Sequence, residues 1–521
     1  MDPVDLPAAA PDPDTAETAP PELSADRLSA ERLAEALTLL DAIAADRRVL
    51  ADVDAAARER LQRLCGEIAR PDLKQRKRLQ KELLRRTNDA KREQDEQRRQ
   101  STAIRQLRAR PVYSTPPPTS DQPQLPPSTP EPAGPGLHAD RVCYVCKTPY
   151  QQLHFFYDQL CQSCGDISHQ KRAPRFDLTG RTAVITGARV KIGYHAAILL
   201  LRNGCDVVVT TRFPADGAAR FAREPDFSDW KHRLTLYGLD LRHTPSVDAL
   251  ARHLSTTLPR LDFLLHNACQ TVRRPPGFYE HLLEHETKPW AALPPAERPL
   301  VEADVAWRAS DPSLPLPARL SQVDPEDKAL PSSSSSSALA SIFPAGALDQ
   351  DLQQIDLRTH NSWRAALGDV PTIELLEVLL VNAAAPFVLT SKLRPLLEKE
   401  NAGRDRHVVN VSAMEGQFYR ANKTDKHPHT NMAKAALNML TRTSAQDLAQ
   451  HGVWMNAVDT GWVTDEDPAH LAALKVKEHR FSPPLDVVDG AARIVDPIFS
   501  GLQTGKHACG VFFKDYLPAR W

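Results

Sequence analysis

What the sequence has little of sets the first limits. Long apolar runs are missing: no stretch of 18 or more apolar residues occurs, which argues against a membrane-spanning helix. An excess of one charge is missing too. Lys and Arg total 65 against 66 Asp and Glu, a formal net charge of -1, so no global field draws the chain to nucleic acid or a membrane. The first 22 residues hold no Lys or Arg and are rich in Pro, Ala and carboxylates. That excludes an ordinary secretory signal or an Arg-rich transit peptide, and predicts disorder over 1–22. Together these absences lead us to expect a cytoplasmic protein. Cysteine is sparse at 8 in 521 residues. Four of the eight fall into two tight pairs, which predicts metal ligation rather than disulfides.

A chain of this length exceeds one ordinary core, so several domains are expected. Over 23–110 the pattern is helical. Leu33, Leu37, Leu40 and Ala44 recur at three- and four-residue steps, as do Val53, Ala57, Leu61, Leu64 and Ile68. Pro71 interrupts, and Asp72 is the expected cap of a third, coiled-coil-like helix. The stretch Asp72–Arg110 carries fourteen Lys/Arg against six Asp/Glu. A solvated charged helix packed on its two predecessors is the expectation. A basic surface for RNA or an acidic partner is the alternative, but few aromatics are interleaved for base stacking. Residues 111–137 form a Pro-rich linker.

Within 138–172, Cys143-Tyr-Val-Cys146 is followed, fourteen residues on, by Cys161-Gln-Ser-Cys164. Two such turns each aim two sulfurs at one point, and together they complete a tetrahedron. A four-thiolate structural zinc site is predicted, with no open coordination position for catalysis. His154 and His169 are reserve ligands. The apolar HFFYDQL between the pairs supplies a core too small to fold unaided.

From residue 173 the pattern changes to strand, glycine turn, helix, strand. Thr182–Thr186 leads into a turn ending at Gly193, and Asp206–Thr211 is the next buried strand. This βαβ unit places a phosphate site at a helix N-terminus. Further signals follow in order: Asp240-Leu241 after a third strand, Asn267-Ala268-Cys269 after a fourth, Ser412 after a fifth, and Thr430-Asn-Met-Ala-Lys434 on a helix.

In these motifs the chain resembles the short-chain dehydrogenase/reductase family, over about 173–521 with an insert at about 271–372. The resemblance implies a doubly wound α/β Rossmann sheet, a nicotinamide cofactor and a small-molecule carbonyl or alcohol substrate. The family's glycine turn appears as Thr186, Gly187, Ala188, Arg189, Val190, Lys191, Ile192 and Gly193, with Lys191 at the middle glycine. There it either points outward or adds a cation to the phosphates. Thr211-Arg212 offers no carboxylate for a ribose 2′-hydroxyl, and Arg212 suits a 2′-phosphate, so NADP(H) is expected over NAD(H). Asp240 and Leu241 match the adenine-contacting pair. Asn267 and Ala268 fit the family's N-N-A-G. Cys269 is expected to be small and buried under the nicotinamide ribose, a reactive thiol being the alternative. Thr460-Gly461-Trp462-Val463-Thr464 matches the loop that contacts the nicotinamide amide.

For catalysis the resemblance assigns Ser412 to the substrate carbonyl, Asn382 to a water leading to the lysine, and Lys434 to the ribose and to tuning the acid. The family's tyrosine, however, is Thr430. A threonine hydroxyl is far too weak an acid to replace a phenol. The loop between Ser412 and Thr430 is longer than usual, and offers Tyr419, His427 and His429 as stand-ins. The insert, with its His/Glu-rich stretch Tyr279–Trp290 and the serines Ser332–Ser337, is expected over the active-site crevice as a lid or docking surface. Two functions follow. One is an NADP(H)-dependent oxidoreductase with an altered acid. The other is an inert reductase fold serving as a cofactor-dependent interaction scaffold, docking partners through the insert or the zinc module. A homo-oligomer through the long helices is a family expectation.

Overall fold

A computed structural model of the chain describes residues 29–117, 136–174, 176–323, 341–399, 405–419, 423–479 and 482–521. The expected disordered start, the centre of the Pro-rich linker and the Ser332–Ser337 run lie outside the described residues. Two compact units divide the chain, 1–90 and 91–521.

The first unit is helical. Helices Ala30–Ala45 and Ala55–Ala69 precede the long helix Leu73–Gln100, which crosses the unit boundary. Ser29, Asp54 and Asp72 each accept a backbone N–H three residues on, at 3.2, 3.0 and 2.7 Å, which satisfies donors that a helix start leaves unpaired. The expected packing of these helices does not occur. Neither of the first two buries a residue, and Leu33, Leu37, Leu40, Leu64 and Ile68 stay exposed. The stripe on the basic helix, where Leu79 and Leu83 are also exposed, is too thin to cover both neighbours.

The second unit is built on an eight-stranded sheet. A two-stranded ribbon, β1 (Arg141–Val142) and β2 (Pro149–Tyr150), comes first in the chain. The sheet follows with β3 (Thr182–Thr186), β4 (Asp206–Thr211), β5 (Leu234–Gly238), β6 (Phe263–His266), β7 (Arg406–Ser412), β8 (Val453–Asp459), β9 (Phe512–Lys514) and β10 (Leu517–Ala519). Their order is β10-β9-β8-β7-β6-β3-β4-β5. Only β10 runs antiparallel, returning on β9 through a tight turn. Because helices cover both faces, the inner strands are buried end to end and read as unbroken apolar runs. Alternation still sorts the side chains: Ala183, Ile185, Val207 and Val209 enter one core, Val184 and Val208 the other. Helices Lys191–Arg202 and Val487–Thr504 fill the first core, and Thr244–Thr257 and Ala385–Leu397 the second.

After β3 the chain turns to β4 on one side, and after β5 it returns to β6 on the other. This reversal opens a crevice at the carboxyl ends of β3 and β6, where such sheets hold their ligands. One described helix, Thr372–Leu397, is long and apolar enough to cross a membrane by length and composition alone. It is a core helix here, packed against Thr244–Thr257 with Glu377 and Asn382 buried.

The cysteine-bearing segment has no core of its own. Cys143, Phe156, Tyr157 and Leu160 pack in one cluster with Val463, Leu485 and Val487 of the sheet unit. Arg172, just past helix Gln162–Lys171, is buried between Asp486 and Asp489 at 2.7 and 2.8 Å. Removing one partner of a buried ion pair leaves the other charge desolvated and unmatched. Arg172→Leu should therefore destabilise the second unit by about 3–5 kcal/mol, read as a lower urea midpoint; an unchanged midpoint would show that the pair contributes nothing.

Candidate active site

The crevice at the carboxyl edge of the sheet has a volume of about 1170 Å³, above the roughly 300–1,000 Å³ of ordinary small-molecule pockets. Its floor is the turn after β3. Gly187 takes a φ of 68°, and a Cβ there would lie 2.7 Å from the Ala268 Cα. Gly193 leaves no room either, since a Cβ would strike the Asn267 amide and the Gly187 carbonyl. Asn267 explains the fit: its Nδ2 donates to the Thr186 and Gly187 carbonyls at 3.1 and 3.0 Å. The Ala268 N–H donates to Thr186 Oγ1 at 3.1 Å. The turn is thus fastened to β6, beside the N-terminus of helix Lys191–Arg202.

Lys191 adopts the left-handed φ of 55° that its glycine-like position demands, and it lines the crevice. Burial would lower its pKa, but Glu466, Asp351 and Asp349 outweigh that and hold it above the ordinary lysine value. The side chain thus faces these carboxylates at the crevice and does not point to solvent. Asp349 and Asp351 belong to the insert, whose loop is tied down by Arg220, donating to the Asp351 and Leu352 carbonyls at 2.6 and 2.8 Å.

Arg212 lines the crevice at the end of β4. Its guanidinium donates to the Tyr279 hydroxyl at 2.6 Å and lies 4.5 Å from that ring's centre. Burial raises the Tyr279 pKa, but Arg212, Arg274 and Arg189 more than reverse this and bring it below the usual phenol value. Three guanidiniums therefore converge here. Arg189 is already paired with Asp216 at 2.5 Å, and Arg274 with Asp356. Asp240 and Leu241 line the wall, the Asp240 carboxylate gripped by Arg242 at 2.7 Å. Cys269 lies at the crevice mouth of β6. It is exposed and lines the crevice, because the chain leaves the sheet at His266 and carries the thiol beyond the packed strand ends.

At the other end, Ser412 and Lys434 both line the crevice. The Ser412 hydroxyl donates to Asn438 Oδ1 at 2.6 Å, and Lys434 Nζ donates to the Val411 carbonyl at 2.7 Å. Asn382 sits in a π-helical turn, Leu380–Ala384, a local expansion common at functional sites. Its amide pairs with the Gln270 backbone in both directions, at 2.8 and 3.1 Å. Gly461, Val463 and Thr464 line the far wall, while Ile192 closes the turn side.

The expected stand-ins for the tyrosine separate. Tyr419 is 93% exposed and is not among the crevice residues, although Glu415 and Lys423 of the same loop are. His429 and Thr430 are buried in the helix Pro428–Gln450, away from the crevice lining. His429 Nε2 lies 3.4 Å from Glu374, and Thr430 Oγ1 makes no hydrogen bond. His427, two residues earlier, does reach the crevice. It has a φ of 41° and stacks on Trp363 of the insert at 4.0 Å between ring centres.

A carboxyl that sequence reasoning passed over stands next to Ser412. Asp459 is its register partner on β8 and lines the crevice, its Oδ1 accepting the Met414 N–H at 3.3 Å. Burial raises its pKa to about 6, against the opposing pull of Lys514. The available signal was an acid one position ahead of Thr460, where the chain leaves a buried strand.

The four cysteine sulfurs lie within 4.8 Å of one another. Cys146 Sγ and Cys161 Sγ are 3.7 Å apart, close to the edge of a tetrahedron with metal–sulfur bonds of about 2.3 Å. The Cys161 N–H faces Cys143 Sγ at 3.4 Å, and hydrogen bonds from Thr148 lower the Cys146 pKa to about 6. The Thr148 bonds favour a thiolate at Cys146, whereas burial raises the pKa of Cys143 and Cys164, whose protons a bound cation would displace. His154 is no reserve ligand: its Nδ1 accepts the Phe156 N–H at 3.0 Å, and the ring is fully buried.

Comparison with known proteins then decides the family. The short chain dehydrogenase model matches residues 181–287, and the enoyl-(acyl carrier protein) reductase model matches 345–480. An uncharacterized protein of Acanthamoeba polyphaga mimivirus, R665, is 30% identical over 370 residues, covering 69% of this chain and 71% of that one. The chain belongs to the short-chain dehydrogenase/reductase family. Other members match over shorter spans. The WW domain-containing oxidoreductase of Drosophila melanogaster is 30% identical over 25% of this chain and 31% of its own. The dehydrogenase/reductase SDR family member 13 of Bos taurus is 39% identical over 19% and 27%. Among solved structures, a short-chain dehydrogenase/reductase of Burkholderia multivorans with bound NADP aligns with 66% of this chain and 99% of its own. Its identity is 18% and its TM-score 0.37. The gap between the two family matches, 288–344, falls in the insert.

The raised Asp459 pKa makes a pH prediction. A carboxyl whose folded pKa exceeds its unfolded value favours folding while protonated, and that contribution is lost as pH rises through the folded pKa. Asp459→Asn should therefore gain stability relative to the parent between about pH 4 and 6 and keep a constant advantage above. Urea midpoints across that range measure it; parallel curves would mean that Asp459 is not desolvated.

Proposed function

We propose that the protein is an NADP(H)-dependent oxidoreductase acting on a small carbonyl or alcohol substrate, with an active site altered at the proton donor. The observation that carries this reading is convergence. Gly187, Gly193, Asn267, Ser412, Lys434 and Gly461 are brought to one crevice from five separate stretches. The residues fit a dinucleotide: Gly187 and Gly193 exclude any Cβ beside the helix N-terminus, and Lys191 adds a cation there. At the end of β4, Arg212 has a hydroxyl as its hydrogen-bond partner in place of a carboxylate, which suits a 2′-phosphate.

Bound in this crevice, the nicotinamide would supply or accept the hydride. The chain's own work is to orient and to move one proton. Ser412, now donating to Asn438, can turn its hydroxyl to a substrate oxygen. Lys434, buried and held by the Val411 carbonyl, adds positive charge beside that oxygen, which favours an alkoxide. Proton exchange falls to Asp459, whose pKa near 6 suits transfer at neutral pH, with His427 also lining the crevice. The scaffold reading draws on the tied-off Ser412 hydroxyl and the unpartnered Thr430. A structural zinc ion at Cys143, Cys146, Cys161 and Cys164 completes the proposal.

Arg212→Ala should weaken NADPH by roughly 1–3 kcal/mol, the scale of a charged hydrogen bond, and leave NADH nearly unchanged. Nicotinamide fluorescence titration reads this, and an equal loss for both cofactors would refute the phosphate assignment. Turnover with a panel of ketones and aldehydes separates the two functions. In an active protein, Asp459→Asn should cut kcat by about 10²–10⁴-fold while Thr430→Val costs little; cofactor binding without any turnover supports the scaffold. Serine at all four cysteines should release stoichiometric zinc, measured by metal analysis; zinc retained in that variant would place the ligands elsewhere.

A further inference from the structure

The first cysteine turn does more than close a metal site. Tyr144 and Lys147, either side of Cys146, both line the reductase crevice. The Tyr144 hydroxyl accepts the Trp462 N–H at 3.0 Å, and a Cβ on Gly461 would lie 3.5 Å from the same oxygen. Tyr144 is itself held by its backbone, its N–H donating to the Gln159 carbonyl at 2.9 Å. Lys147, with a φ of 63°, donates from Nζ to the Tyr144 carbonyl at 2.5 Å. The ring therefore has little freedom so long as the cysteine turn keeps its shape.

The loop it touches is supported from several directions, among them by Arg108, which reaches the Val463 carbonyl at 3.4 Å. Gly461 takes a φ of 75°. The Leu485 N–H donates to the Trp462 carbonyl at 3.3 Å, and Val463 and Leu485 pack in the cluster that also holds Cys143, Phe156 and Tyr157. On this side the Asp459–Thr464 stretch is thus held jointly, by Tyr144 and its apolar neighbours in the cysteine-bearing segment and by Leu485 and Arg108 of the reductase unit.

We propose that the cysteine module is a working wall of the reductase crevice: metal bound at the four cysteines fixes Tyr144, and Tyr144 is a positioning residue that seats the Gly461–Trp462 backbone for the cofactor. The proposal rests on the nicotinamide reading given above. It makes the metal site a regulator of cofactor affinity rather than a separate structural staple. Zinc content and cofactor binding then become linked, each favouring the other by the same factor.

Three measurements on the full chain test this. Hydrogen–deuterium exchange over residues 459–464 reads the seating directly and needs no cofactor. In Tyr144→Phe, which keeps the ring but loses the acceptor oxygen, exchange there should rise while zinc content and the urea midpoint stay at parental values. NADPH affinity should fall about 2- to 12-fold, the range for one neutral hydrogen bond. Cys146→Ser, at an exposed ligand, should lose zinc and weaken NADPH at least as much. Adding Tyr144→Phe to it should then cost little more, because the coupling has already been cut. Unchanged exchange at 459–464 in Tyr144→Phe overturns the proposal whatever the cofactor does. Faster exchange with undiminished NADPH affinity refutes the link to function. A parent chain that binds neither NADPH nor NADH would overturn the cofactor reading and, with it, the functional link, while the exchange data still decide whether Tyr144 seats the loop.

Discussion

The side-chain amide of Asn267 makes the crevice possible. By donating to two successive carbonyls of the turn after β3, it holds the phosphate turn against the end of β6. The sheet reverses direction between those two strands, and without the tie their loops would diverge. Gly187 and Gly193 are consequences of that tie, since each must come so near to Asn267 or Ala268 that no Cβ fits. Lys191 follows as well. Its left-handed backbone is the turn's requirement, and its side chain can only enter the crevice, where acidic neighbours keep it charged.

Three distant parts of the chain complete what the sheet begins. The insert returns over the turn with Asp349 and Asp351, and contributes Tyr279 against Arg212 and Trp363 against His427. The cysteine-bearing segment shares its apolar cluster with Val463, Leu485 and Val487. Segment Ala103–Ala109 reaches the same place, with Arg108 donating to the Leu485 carbonyl at 2.5 Å and Arg105 buried against Asp158 at 2.6 Å. Such convergence makes the reductase unit one cooperative body from residue 91 onward, even though the sequence reads as a string of modules.

Local chemistry explains what the sequence made legible. Turn glycines, buried strand runs and paired cysteines are determined within a few residues, so the sheet, its switch point and the four-sulfur cluster could be read directly. Ser412, Lys434 and Asn267 could be placed for the same reason, each lying at a strand end or one helical turn along. Long-range placement was not legible. Tyr419 and His429 lay near the missing tyrosine in sequence, but Tyr419 is exposed and the helix's rotation buries His429 away from the crevice, while His427 reaches it through its own left-handed backbone. Asp459 and Tyr144 were missed because a charged residue at a strand end and an aromatic inside a cysteine turn both have ordinary structural uses. Only the fold shows that each faces the same space.

On the proposed function, the crevice between β3 and β6 takes a phosphorylated nicotinamide dinucleotide. Crystals grown with NADPH test it most directly. The account predicts difference density along the carboxyl edge of the sheet, with the pyrophosphate at the Gly187–Gly193 turn, the 2′-phosphate within hydrogen-bond reach of Arg212, and the nicotinamide between Lys434 and Gly461. An empty crevice in crystals grown at saturating NADPH, or density lying elsewhere on the molecule, would contradict it.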